Sequence, residues 1–179
     1  MALKGLTPVE ERAWRGYRRL VTLLEARMAR ELAADRGLSP ADYTVLSNLA
    51  EASGRRWRLS RLAERMQWSQ SRLSHQVARM EERGLVRREF VEGDGRGTSV
   101  VLTSTGLRTI AAATPGHVAA IRRHFLDLLD EEQLRVLGDA AEAVVGHLTA
   151  DGVSESPIPR TREASDSPER RRTPGRRSG

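Results

Sequence analysis

Apolar residues recur every three to four positions from Val9 onward: Val9, Ala13, Trp14, Tyr17, Leu20, Val21, Leu24, Met28 and Leu32. That spacing predicts one long amphipathic helix. Thr7-Pro8-Val9-Glu10 supplies its start, with Thr7 as cap, Pro8 at the first helical position and Glu10 completing a capping box. Gly37 marks its end. The apolar stripe is long for a small domain and is suited to a partner helix.

A second helix opens in the same way at Ser39-Pro40-Ala41-Asp42, with Tyr43, Leu46, Leu49 and Ala50 on its inner face, and ends at Ser53-Gly54. Trp57-Arg58-Leu59 reads as a short extended bridge, and Ser60 as the cap of a brief helix that turns Leu62, Ala63 and Met66 inward. Gln67-Trp68 forms a turn, and Ser69 caps the next helix, which spans 69–83 and stops at Gly84. At about 100° per residue, Val77 and Met80 lie within about 40° of Leu73, and the three form its buried stripe. Ser71, His75, Ala78 and Arg79 point the other way, with Arg72 and Ser74 on the flanks. From Ser69 to Arg79 that outward face holds no carboxylate, whereas an ordinary solvated face mixes both signs, as Glu81 and Glu82 do one turn later.

Two β-prone runs, 85–91 and 98–103, enclose a Gly- and Asp-rich loop and predict a hairpin. Thr103-Ser104-Thr105-Gly106 starts a further helix through Leu107, Ile110 and Ala111, with a kink expected at Pro115. The pattern resumes at Val118, Ile121, Phe125, Leu128 and Leu129. Asp130-Glu131-Glu132-Gln133 begins a last helix through Leu134, Leu137, Ala141, Val144 and Leu148.

Composition narrows this picture. Of 179 residues, 30% are charged and 4% aromatic, which suits a helical protein better than a β-sandwich. There is no cysteine, so disulfides, thiolate metal sites and cysteine-based redox sensing are excluded. The opening MALKGLTPVEERAWR turns acidic too early for a signal peptide, and no apolar run approaches about 18 residues. A soluble cytoplasmic protein is expected. Residues 150–179 are rich in Pro, Ser, Gly and Arg, with only Val153 and Ile158 as large aliphatics, and read as a disordered basic tail.

Charge adds the chemistry. Between 53 and 100 the chain carries eleven arginines against six carboxylates, an electrostatic footprint for a polyanion. Short hydrogen-bonding side chains plus arginine on one helix face suit a DNA major groove. Helix, turn, polar-faced helix and hairpin in succession describe a winged helix-turn-helix, in a fold that is mainly α (α+β).

The stretch from Leu59 to Gly106 resembles the DNA-binding core of the MarR family of bacterial regulators. The resemblance rests on Leu62-Ala63, the 69–79 helix, Met80-Glu81-Glu82-Arg83-Gly84-Leu85-Val86, Asp94-Gly95-Arg96 and Leu102-Thr103-Ser104-Thr105-Gly106. Leu38-Ser39-Pro40-Ala41-Asp42-Tyr43-Thr44-Val45-Leu46 matches the family's second helix. The resemblance implies a homodimer whose intertwined N- and C-terminal helices (6–37 and 104–149) form a dimerisation domain beside a DNA-binding domain at 38–103. Such a dimer presents its recognition helices to successive major grooves about 34–36 Å apart, so a palindromic operator is expected. A repressor released by a small phenolic ligand is the implied function.

Ser71, Arg72, Ser74 and His75 are the candidates for base-edge contacts, Arg72 toward guanine. Gln70 and Arg79 are assigned to bases or phosphate. Ser69 and Ser39 are caps whose helix-end amides also suit phosphate, and Arg55, Arg56 and Arg58 are phosphate contacts or a solvated loop. His75 stands where many relatives carry arginine. By resemblance, Arg96 enters the minor groove from the wing, and Asp94 holds the wing by pairing with an arginine. Trp14, Tyr17, Arg18 and Tyr43 would border the family's effector pocket, or serve only core and dimer packing.

Other classes have less support. His75, His117, His124 and His147 are scattered over different helices, so neither a metal site nor any cofactor is expected. No nucleophile–base arrangement or Gly-rich phosphate loop points to an enzyme, and Asp127 and Asp130 read as a helix end and a cap. A sequence-tolerant architectural DNA-binding protein is the main alternative, and an adaptor that has lost DNA binding the next.

Overall fold

The structure, a computed structural model, describes residues 4–90 and 97–150. The wing-tip candidates Asp94 and Arg96, and the 151–179 tail, lie outside the described residues. The elements run α1 (Pro8–Arg36), α2 (Pro40–Glu51), a 3-10 turn (Ser53–Arg55), β1 (Arg56–Arg58), α3 (Leu59–Arg65), α4 (Gln70–Glu82), β2 (Val86–Phe90), β3 (Thr98–Leu102), α5 (Ser104–His124), a 3-10 turn (Leu126–Leu128) and α6 (Glu131–Ala150).

Local chemistry accounts for most boundaries. Thr7 and Glu10 form a reciprocal capping box at α1, which ends at Gly37 in the left-handed conformation, φ 62°. Ser39 and Asp42 do the same for α2. Asp130 and Gln133 exchange backbone-to-side-chain bonds of 3.0 and 2.8 Å at the start of α6. Gly84, φ 70°, makes the tight exit from α4 into β2, and the Leu85 amide donates to the Met80 carbonyl at 2.9 Å.

One local expectation is corrected. Ser60 is not a cap: α3 begins at Leu59, and Arg58 holds the cap position without a side-chain hydrogen bond. The reason is tertiary. The extended bridge is a strand, with Trp57 paired to Val100 and Arg58 to Ser99, so the chain passes from sheet into helix with no intervening cap. α5 runs from Ser104 to His124 with Pro115 inside it. Proline removes one backbone bond there, while the Thr114 hydroxyl donates to the Ile110 carbonyl at 2.8 Å and helical backbone persists on both sides.

The hairpin thus becomes a three-stranded antiparallel sheet in the order β1-β3-β2. Val86 faces Leu102 and Phe90 faces Thr98 across the wing. The core joins α2, α3, α4, the sheet and the start of α5 through Leu38, Val45, Leu46, Leu49, Leu62, Leu73, Val77, Met80, Val100 and Ile110. Outside this centre, α1 packs along α5. Glu31 of α1 clasps α5, accepting from Arg123 Nη2 at 3.0 Å and meeting His124 Nε2 at 3.0 Å. None of the residues of α6 is buried. Among the described residues, no helix is long and apolar enough to cross a membrane.

Candidate nucleic-acid interface

The α3–α4 turn aims the second helix outward. Gln67 takes a left-handed conformation, φ 53°, and the Trp68 amide donates back to the Ala63 carbonyl at 2.9 Å. Ser69 then caps α4, its hydroxyl accepting from the Arg72 amide at 3.2 Å. Leu73, Gln76, Val77 and Met80 are buried, and α4 packs on α2, α3 and β2.

The opposite face is open. Ser69, Gln70, Ser71, Arg72, His75 and Arg79 are exposed, and Ser74 is half-buried on the flank. The Arg72 guanidinium lies 4.0 Å above the centre of the Trp68 ring, a cation–π stack that presets its direction. Arg79 bonds the Gln76 side-chain oxygen. Among the described residues neither arginine pairs with a carboxylate, so the charge of both is available to a polyanion. Other arginines of the basic segment are engaged. Arg61 pairs with Glu64 at 3.0 Å, Arg56 and Arg87 share Glu89, and Arg65 bonds Asn48 Oδ1 at 2.6 Å. Arg55, Arg56 and Arg58 are exposed beside the sheet edge.

Behind the face lies polar scaffolding that the sequence did not single out. The Arg88 amide and guanidinium reach Glu81 at 2.8 and 3.3 Å, and Arg88 Nη2 donates to the Ser74 carbonyl at 2.8 Å, latching β2 to α4. Asp42, buried on α2, accepts from Gln76 Nε2 at 2.7 Å and from Arg83 Nη1 at 2.8 Å. Burial pushes the Asp42 carboxyl up, but the bonds from Arg83 and Ser39 outweigh it and hold the group below its ordinary range. Asp42 was legible as a cap but not as a tertiary hub. Gln76 carried a signal: it falls about 60° from Leu73 and about 40° from Met80, at the edge of the apolar stripe.

The four ligand candidates are not brought to one place. Trp14 and Tyr17 stack at 5.9 Å on the outside of α1. Trp14 and Arg18 line a groove of about 460 Å³ with Arg15, Arg19, Thr22 and Leu23, all on that one helix. Tyr43 instead packs its ring 4.2 Å from that of His117 on α5. His117 borders a cavity of about 210 Å³ between α1 and α5, with Glu31, Leu32, Asp35, Gly116, Ala119 and Arg123. Its Nδ1 is buried and has no hydrogen-bond partner among the described residues. Burial also lowers the pKa of the ring and favours its neutral form.

Comparison with known proteins bears on this arrangement. The sequence model of the MarR family matches residues 36–97. The transcriptional regulator HosA of Escherichia coli is 34% identical over 107 residues, covering 60% of this chain and 76% of HosA. AbsC, a MarR family transcriptional regulator from Streptomyces coelicolor, is 43% identical, with a TM-score of 0.77 over 83% of this chain and 99% of its own. Sco3205, also a MarR family transcriptional regulator from S. coelicolor and solved in complex with DNA, is 40% identical, with a TM-score of 0.76 over 80% and 93%.

Proposed function

The chain belongs to the MarR family of transcriptional regulators, and from that premise we propose that it is a sequence-specific, homodimeric repressor of a palindromic operator, released by a small ligand. The observation that carries the reading is the exposed face of α4 from Gln70 to Arg79, which holds no carboxylate, with Ser71, Arg72, His75 and Arg79 outward and two guanidiniums without carboxylate partners among the described residues. Ser71, Arg72, Ser74 and His75 are the proposed base readers. Gln70 and Arg79 contact bases or backbone, and the Ser69-capped helix end takes a phosphate. Arg96, with Asp94 as its support, is the proposed wing contact. The 38–103 segment reads DNA, while 6–37 and 104–149 pair two copies. The exposed apolar side chains of α1 and α6 support that pairing, among them Leu20, Leu23, Leu137 and Val144.

Selection of bound sequences from a random duplex pool tests this. A palindrome with half-sites one helical turn apart is expected. Arg72→Ala should weaken binding to that duplex by about tenfold to a hundredfold and relax the preference at one position per half-site. Unenriched binding to all duplexes would instead favour the architectural alternative, and no binding the adaptor.

For release, the cavity beside Tyr43 is a better place than the α1 groove, because it is walled by two helices and offers the unpartnered Nδ1 of His117. A phenol hydroxyl matches that nitrogen. Asp35 on the same wall favours an uncharged phenol over a phenolic acid, while the charge of Glu31 is matched by Arg123. Titrating plain phenols and phenolic carboxylates into the protein–duplex complex should release DNA with the former, and His117→Leu should abolish the response. Release that persists unchanged in His117→Leu would exclude this cavity.

A further inference from the structure

We propose that Gln76, though buried, is a positioning residue for DNA reading: its carboxamide holds Arg79 in one orientation, and Asp42 of α2 holds the carboxamide. This rests on the reading that the exposed face of α4 meets DNA.

Gln76 is 3% exposed, on a helix stripe whose other members, Leu73, Val77 and Met80, are fully buried. A leucine would fill the same space without a polar group to satisfy. A buried amide is tolerated only when both ends are partnered. Here both are. Nε2 donates to Asp42 Oδ1 at 2.7 Å, and Oε1 accepts from Arg79 Nη2.

The chemistry of the partners fixes which way the amide faces. An ionised carboxylate only accepts, so Asp42 demands the NH₂ end and turns the oxygen toward the helix surface. Asp42 itself has little freedom. Its Oδ2 accepts from the Ser39 amide at 2.9 Å, the Ser39 hydroxyl at 2.9 Å and Arg83 Nη1 at 2.8 Å. Arg83 in turn donates to the Gly37 carbonyl at 3.2 Å, closing the set on the α1–α2 connection. The chain of bonds therefore runs from the N-terminus of α2, through the core, to a guanidinium on the face of α4.

Its consequence is preorganisation. Arg79 is exposed, and a free arginine loses much side-chain freedom when it orders against DNA. One of its five N–H donors is occupied by Gln76, which leaves the others to meet a base edge or phosphate from a set direction. A residue that never touches DNA thereby sets the affinity of one that does.

The test is a double-mutant cycle on the full chain, with the duplex enriched by the wild-type protein from a random pool as probe. Gln76→Leu should melt within a few degrees of wild type yet bind that duplex roughly five- to tenfold more weakly, because Arg79 is no longer held. Arg79→Ala should weaken binding about tenfold in the wild-type background but less than about twofold in the Gln76→Leu background. Gln76→Met, unbranched and of similar length, repeats the cycle should the leucine variant fold poorly. Equal effects of Arg79→Ala in both backgrounds would overturn the proposal and reduce Gln76 to packing. Failure of the wild-type protein to enrich any duplex would overturn the DNA-reading premise, and this inference with it.

Discussion

Gly106→Ala is expected to lower the melting temperature by about 6–12 °C, the consequence of roughly 3 kcal/mol of lost stability in a domain of this size. Gly106 is buried in the first turn of α5. A Cβ placed on it would lie 2.1 Å from the Leu85 carbonyl oxygen, 3.0 Å from the Leu85 carbonyl carbon and 2.8 Å from Leu102 Cδ1. The leucine side chain can rotate, but the carbonyl cannot, because it accepts from the Thr103 amide at 3.2 Å and the Thr103 hydroxyl at 3.0 Å. Thr103 also caps α5 by accepting from the Gly106 amide at 2.9 Å. An added methyl therefore forces α5 off the turn between α4 and β2 and breaks the seat that joins the DNA-reading segment to the long helices. Gly138→Ala is the control. That glycine sits mid-way along α6 with nothing within 4 Å of an added Cβ, so alanine should hold or raise the melting temperature. Calorimetry of the two variants decides the matter, and a wild-type-like transition for Gly106→Ala would refute the close packing described here.

The same residue shows where sequence reading stops. The Leu102-Thr103-Ser104-Thr105-Gly106 run was legible as a helix start and as part of a family pattern, but not as a contact with a carbonyl twenty-one positions earlier. What the sequence carries well is what neighbours in the chain decide. The caps at Thr7, Ser39 and Ser69 need only residues three positions apart, and the inward Leu73, Val77 and Met80 need only helical periodicity. The open face of α4 follows from that stripe by geometry, so most of the candidate site was foreseeable. What was missed depends on distant pairing. Ser60 reads as a cap because the pairing of Trp57 with Val100 is invisible locally. The role of Asp42 beyond capping needs Gln76 and Arg83, thirty-four and forty-one positions away. Tyr43 was grouped with Trp14 because both are aromatic, but the fold gives Tyr43 to His117.

Leu137→Asp combined with Val144→Asp is expected to separate folding from assembly and to cost more DNA affinity than any change on the reading face. The two residues lie seven apart on one side of α6, and they are 41% and 59% exposed in the single chain. Exposed substitutions of this kind alter the stability of an isolated subunit by only about 0.5 kcal/mol. The same stripe continues through Leu148, and α1 presents Leu20 and Leu23, so a single copy leaves apolar side chains of both helices uncovered. In the proposed two-fold dimer each substitution occurs twice, and its carboxylates are driven into the apolar interface without partners. Sedimentation should then show a folded monomer at concentrations where the wild type is a dimer. Loss of the second half-site removes the linkage between the two recognition helices, so affinity for a palindromic duplex should fall by roughly 10²–10⁴-fold. A single half-site duplex should be bound about as weakly by the variant as by wild type, because α4 and its Arg72 and Arg79 are untouched. A variant that remains dimeric and keeps palindrome affinity would place the subunit interface elsewhere, and would leave the exposed stripe of α6 to some other partner.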